Sequence, residues 1–129
     1  MTGPYRMIRS VRAEGDGIGT TSWTPSGGEM GHVGTRPSHV PAFLVVEALA
    51  QCAGITLNRS AGERWLLAGI ADADVAPIPW DEAVALTATV TGRRQRFATV
   101  DVVARDTDGR VVGAAELRMA AFATPGRPS

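Results

Sequence analysis

Lysine is absent from this 129-residue chain: its 13 cations are all arginine, and 13 aspartates and glutamates bring the formal net charge to zero. Without a basic excess, broad binding to nucleic acid or to a membrane surface is excluded. No run of arginines is long enough to form a docking tail, so the missing lysine reads as codon bias in a GC-rich genome. Cysteine is reduced to Cys52, which rules out an intrachain disulfide and favours a reducing compartment. The opening segment MTGPYRMIRSVRAEGDG has no apolar stretch of signal-peptide length. The longest apolar segment, Ala42 to Leu57, is too short for a bilayer and carries a carboxylate. A soluble, cytoplasmic protein is expected. Also missing are a phosphate-binding glycine loop, a serine-centred nucleophile motif and any internal repeat. His32 and His39 stand seven apart in a loop without cysteine partners, which argues against a metal site.

What remains is the composition of one soluble globular domain, 44% hydrophobic and 20% charged, over residues 1–129 with a loose tail at 124–129. Strands are predicted at 5–13 and 17–23, on either side of the turn-like Glu14-Gly15-Asp16-Gly17. Residues 24–40 hold proline, glycine, serine and both histidines, and read as an irregular loop. A helix is predicted from Pro41, with Asn58 and Gly62 available at its end. Strands follow at 65–70, 83–92, 94–106 and 110–123, the last two joined by the hairpin signal Asp106-Thr107-Asp108-Gly109. One helix that is apolar nearly all round needs cover on most sides. The expected fold is therefore α+β, an antiparallel sheet curled around a single central helix.

Within that helix Glu47 is the only charge, and Gln51 lies one turn further along the same face. An unpaired carboxylate is costly to bury and commonly responds with a raised pKa, which would equip it as a proton donor. The competing expectation is a buried ion pair with Arg36 or Arg64. Gln51 is expected to support the site, and Cys52 to pack as a small apolar residue.

The segment GHVGTRPSHVPAFLVVEALAQCAGI resembles the β-hydroxyacyl-acyl-carrier-protein dehydratases of type II fatty-acid synthesis and their polyketide relatives. Gly31-His32, Pro37 and Pro41 fall in the family's order, and Leu44, Glu47, Ala48, Ala50 and Gln51 match its helix motif. PYRMIRSV resembles the family's first strand, and PWDEAVALTATVTG a later strand. The resemblance implies the hot-dog fold and a dimer, homodimeric or heterodimeric, with each site shared between subunits. It implies His32 as the base that removes the α-proton of a β-hydroxyacyl thioester and Glu47 as the acid that protonates the leaving hydroxyl. Backbone N–H groups near Ala42 and Phe43 would face the thioester carbonyl. No cofactor is implied beyond the pantetheine arm of a substrate carried by acyl carrier protein or CoA.

The chain also departs from the pattern. Val33-Gly34 replaces Phe-Pro, Ala42 replaces a glycine, and one extra residue between Pro37 and Pro41 brings His39 toward the helix start as a second candidate base. The strand after the helix carries Asp72 and Asp74, which should repel an acidic carrier protein. The cluster Arg93-Arg94-Gln95-Arg96 could serve instead, although it also reads as a solvated hairpin end. Three functions compete on these residues: a dehydratase, a catalytically incomplete partner subunit of one, and a hot-dog thioesterase whose helix carboxylate activates water.

Overall fold

The computed structural model describes residues 7, 8, 10–26, 38–58 and 63–123. In chain order these form β1 (Arg12–Gly15), β2 (Ile18–Trp23), α1 (Ala42–Leu57), β3 (Glu63–Val75), β4 (Val84–Arg94), β5 (Phe97–Arg105) and β6 (Val111–Ala123). The order of elements is the predicted one. All strand pairs are antiparallel, and the six-stranded sheet runs β1-β2-β4-β5-β6-β3.

The helix begins where proline fixes the preceding backbone: Pro41 is the N-cap residue, and its carbonyl accepts from the N–H groups of Leu44 and Val45. It ends at Asn58, whose N–H donates to the carbonyls of Gly54 and Ile55. Period-two alternation holds β5 on the helix, with Ala98, Val100, Val102 and Ala104 buried beneath it. β4 contributes Val84, Leu86 and Ala88, and β6 contributes Ala115, Leu117 and Met119. From the helix, Val45, Ala48, Leu49, Cys52 and Ala53 are wholly buried in the same core. The sheet thus covers most of α1 and leaves a stripe along Phe43, Val46, Glu47, Gln51 and Gly54 partly open.

Several boundaries differ from the prediction. Of the strand predicted at 5–13, Tyr5 lies outside the described residues, and Met7, Ile8, Ser10 and Val11 are not in the ladder. Met7 and Ile8 lie outside the ladder because a helix side chain takes their N–H groups, as described below, and β1 covers only Arg12–Gly15. The turn into β2 tightens to Asp16-Gly17, with Gly17 at a φ of 73°. β3 extends to Val75, through the Ala-Asp repeat that carries little strand propensity of its own. Its register comes instead from β6, opposite which it lies from Glu63↔Ala123 to Val75↔Gly113. The predicted tail and the end of the helix connection, Gly62 included, fall outside the described residues.

The β5–β6 turn forms as its residues predict. Asp106 Oδ1 accepts from the N–H groups of Asp108 and Arg110, both at 2.9 Å, and Gly109 takes a φ of 82°. Asp106→Ala should cost about 1 kcal/mol, the usual value of losing such a side-chain acceptor, read as a lower urea midpoint with an unchanged slope.

Cys52 is buried as expected. Burial pushes its thiol up to about 11, with the Thr56 side chain pulling slightly the other way. Because the folded thiol holds its proton more tightly than the unfolded one, its contribution is complete below the ordinary value of 9.0 and is lost as pH rises toward 11. The stability difference between wild type and Cys52→Ala should therefore shift by roughly 2–3 kcal/mol between about pH 8 and about pH 11 in urea titrations, in the direction that favours the variant at high pH.

Candidate functional site

Glu47 and Gln51 are brought together by helix geometry alone, one turn apart on the stripe that the sheet leaves open. Gln51 Nε2 donates to Glu47 Oε2 at 3.1 Å. Its carbonyl oxygen, Oε1, accepts from two consecutive main-chain groups, Met7 N–H at 2.8 Å and Ile8 N–H at 3.0 Å. These contacts fix which end of the amide is which. Backbone N–H groups can only donate, so Oε1 must face them and the NH₂ must face Glu47. Glu47 Oε2 is therefore an acceptor in this arrangement. If the carboxyl group carries a proton, that proton sits on the other oxygen.

Glu47 is half-buried rather than fully buried. This corrects the premise of an isolated carboxylate sealed in an apolar helix, because Phe43, Val46 and Gln51 on the same stripe leave it partly accessible. Arg64 is not its partner. It lies opposite Phe122, which is 52% exposed on the face of the sheet turned away from the helix. Arg36 and His32 lie outside the described residues.

His39 is exposed, two residues before Pro41, with Nδ1 3.3 Å from Ser38 Oγ. It makes no hydrogen bond to Glu47 among the described residues. Its neighbour Val40 is anchored, donating its N–H to the Ile78 carbonyl at 2.9 Å. Ala42 and Phe43 open the helix with two of its unpaired N–H groups, and no acidic side chain sits in the first turn to neutralise them. Phe43 is 66% exposed. On β3, Leu67 and Ile70 lie opposite the buried Met119 and Leu117, so they face the helix side, yet both stay exposed. β3 is also an edge of the sheet. An apolar strip on the helix, an apolar strip on an edge strand and Glu47 thus share one uncovered flank.

Arg93 and Arg94 end β4 at the hairpin, so the strand predicted from residue 94 begins at Phe97 instead. Arg93 turns inward over the Trp65 ring, 4.9 Å from its centroid, and lies 3.9 Å from Glu63 Oε1. A groove of about 330 Å³ lies between the β3–β4 connection and the β5–β6 turn, beside Pro77, Pro79, Glu82 and Arg110. None of the predicted site residues among the described ones lines it. No group of three or more potential metal ligands occurs among the described residues. No helix there is long and apolar enough to cross a membrane.

The main-chain N–H groups of Met7 and Ile8 are the part of the site that residue-type reasoning misses. A backbone donor has no side-chain signature, and 44 residues separate Met7 from Gln51.

No protein-family model matches this chain, and no curated protein matches it in sequence. Solved structures do match. An HP0420 homologue from Helicobacter felis superposes with a TM-score of 0.72 at 19% identity, over 91% of this chain and 77% of that one. A hypothetical thioesterase from Streptococcus pneumoniae, solved with coenzyme A, gives 0.71 at 12% identity over 89% and 86%. The thioesterase HI1161 from Haemophilus influenzae gives 0.69 at 12% identity over 92% and 81%. At these identities the likeness concerns the fold, and with the antiparallel sheet around one helix it establishes that this chain adopts the hot-dog fold.

Proposed function

We propose that the protein hydrolyses an acyl thioester, with Glu47 as the general base. The observation that carries this reading is the fixed orientation of the Gln51 amide, which presents a donor to Glu47 Oε2 and leaves that oxygen an acceptor. A base needs a carboxylate held in place where water can reach it, which this contact and the half-buried position of Glu47 provide. In the proposed step Glu47 takes a proton from water, and the resulting hydroxide attacks the thioester carbonyl. The carbon–sulfur bond breaks, and the departing thiolate recovers the proton from Glu47. N–H groups at the start of α1, from Ala42 and Phe43, would stabilise the charge that develops on the carbonyl oxygen. The thioesterase neighbours support the same reading, and the coenzyme A bound to one of them supports a CoA thioester as substrate. Exposed Asp72 and Asp74 weigh against an acidic carrier protein.

We further propose a homodimer formed through β3. Its unpaired edge, Leu67, Ile70 and Phe43 are surfaces that a second subunit would cover, and Glu47 would then lie at the seam.

Dehydration of a β-hydroxyacyl thioester is the second reading, favoured by the sequence match at Leu44, Glu47, Ala48, Ala50 and Gln51. It would require His32 or His39 to act as base across the dimer. One experiment separates the readings: the purified protein is given a short acyl-CoA and a short β-hydroxyacyl-CoA, with free thiol and enoyl absorbance followed together. Thiol release from both supports hydrolysis. Enoyl absorbance without thiol overturns it in favour of dehydration. No turnover of either by folded protein sinks both, and points to a catalytically incomplete subunit of a heterodimer.

A further inference from the structure

Ile8 is 2% exposed, although it belongs to neither a strand nor a helix. Its N–H and that of Met7 both reach Gln51 Oε1, at 3.0 Å and 2.8 Å. In an extended chain successive residues face opposite sides. Two consecutive N–H groups that converge on one oxygen therefore mark a bend, of the kind that gathers backbone donors around an anion. Here the occupant is an amide oxygen, and the far end of the same amide donates to Glu47 Oε2 at 3.1 Å. Backbone N–H groups, amide and carboxylate form one chain of hydrogen bonds. Each bond in such a chain polarises the next, so the positive ends of two backbone dipoles are relayed to Glu47.

The path of the chain shows what holds the bend in place. A methyl group on Gly19 would collide with both Val11 Cγ1 and Thr56 Oγ1, so Val11 lies beside Thr56. Ile8 lies beside Gln51, five residues earlier on the helix. Five helical residues rise about 7.5 Å and three residues of chain reach about 10 Å at most, so the chain follows α1 on its way into β1. β1 and β3 are the two edges of the sheet. The open stripe of α1 thus has β3 along one side and, on the side of β1, Met7 and Ile8. The anchor is the Ile8 side chain, which is among the largest fully buried ones; Met7 packs only partly against the same core, and Ser10 is exposed.

We propose that Ile8 is a positioning residue of the thioester site: its burial holds the Met7 and Ile8 N–H groups on Gln51, and through that amide fixes Glu47 Oε2. The inference rests on the hydrolytic reading above, with Glu47 as the base. A glutamine side chain turns about several bonds, and on a half-open helix stripe its rotation is restrained by what it is bonded to. With the two donors in place the amide keeps one orientation and one position. Without them its contact with Glu47 wanders, and the carboxylate wanders with it. Misplacing a reacting group by about 1 Å costs up to about a hundredfold in rate, even when the change responsible lies away from the chemistry. A residue that served only the core would behave differently. Its truncation would lower stability and leave the turnover of each folded molecule unchanged.

The test is steady-state kinetics on a short acyl-CoA, with activity counted per folded protein. Ile8→Ala should lower kcat at least about tenfold while KM stays within about twofold. Ile8→Val keeps a branched side chain in the same space and should recover most of that loss. Val11→Ala removes a neighbouring anchor without touching Gln51, and its kcat should stay within about twofold of wild type. In a Gln51→Leu background Ile8→Ala should cost no further kcat, because the contact through which Ile8 acts is already gone. Equal kcat losses in Ile8→Ala and Val11→Ala overturn the proposal, as does an unchanged kcat in Ile8→Ala. So does an Ile8→Ala loss that persists in full beside Gln51→Leu. Amide hydrogen exchange, followed by NMR, distinguishes these failures from failure of the hydrolytic reading and needs no variant at Ile8. Protection at Met7 and Ile8 that disappears in Gln51→Leu, in a protein that hydrolyses no thioester, sinks the hydrolytic reading and keeps the clamp on Gln51. Rapid exchange of both amides in the wild type overturns the clamp whatever the turnover.

Discussion

Glu47→Gln is expected to lower thioester hydrolysis by about a hundred- to ten-thousandfold, the range associated with loss of a positioned general base. The fold should be unaffected. Glutamine keeps the size of the side chain, and its own amide oxygen can accept from Gln51 Nε2 as Glu47 Oε2 does now. The half-buried position does not depend on the charge, because Glu47 makes no ion pair with Arg64 and sits on the open stripe of α1. Loss of turnover with an unchanged urea midpoint would assign the carboxylate to chemistry. Retained turnover would move the base elsewhere and remove the basis of the hydrolytic reading. The companion variant Gln51→Leu tests the orientation argument. It keeps Glu47 but removes both the donor to Oε2 and the acceptor for Met7 and Ile8. A tenfold or larger fall in kcat with little change in KM, by the usual measure of a lost positioning contact, would show that carboxylate placement matters beyond its presence.

The helix, and the pairing of Glu47 with Gln51 on one of its faces, were legible because their signals are local. Pro41 restricts the backbone at the start, a largely apolar run follows to Leu57, and a spacing of four puts Glu47 and Gln51 on one face. The β5–β6 turn was legible for the same reason, since Asp106 and Gly109 act within four residues of each other. What the chain hides is set by partners far away. The Ala-Asp segment of β3 has no strand signature of its own and is held extended by β6. Met7 and Ile8 looked like strand residues by composition, but their N–H groups go to the Gln51 amide instead of to a neighbouring strand. The half-burial of Glu47 could not be read from the apolar run either, because exposure depends on how far the sheet reaches around the helix.

The same long-range packing makes Gly19 the residue whose substitution should cost the most stability. It sits in β2 opposite Ala88 of β4, and its backbone is buried where the sheet presses on α1. A methyl group at this position would collide with Thr56 Oγ1 and with Val11 Cγ1. Neither neighbour can step aside at low cost. Thr56 Oγ1 is held by its hydrogen bond to the Cys52 carbonyl at 2.8 Å, in a helix turn that is itself buried. Val11 packs against the core beside the β1–β2 hairpin. Gly19→Ala should therefore destabilise by about 3 kcal/mol through overpacking, and lower Tm by roughly 10 °C. The clash should also be separable from any loss of strand propensity, for which alanine is no worse than glycine. Combining Gly19→Ala with Thr56→Ala opens one of the two collisions, so the double variant should be more stable than the sum of the singles by at least about 1 kcal/mol. Additive behaviour in urea unfolding would show that β2 does not press on the helix at this point, and that the close approach of sheet to helix at Gly19 is not what limits the residue there to glycine.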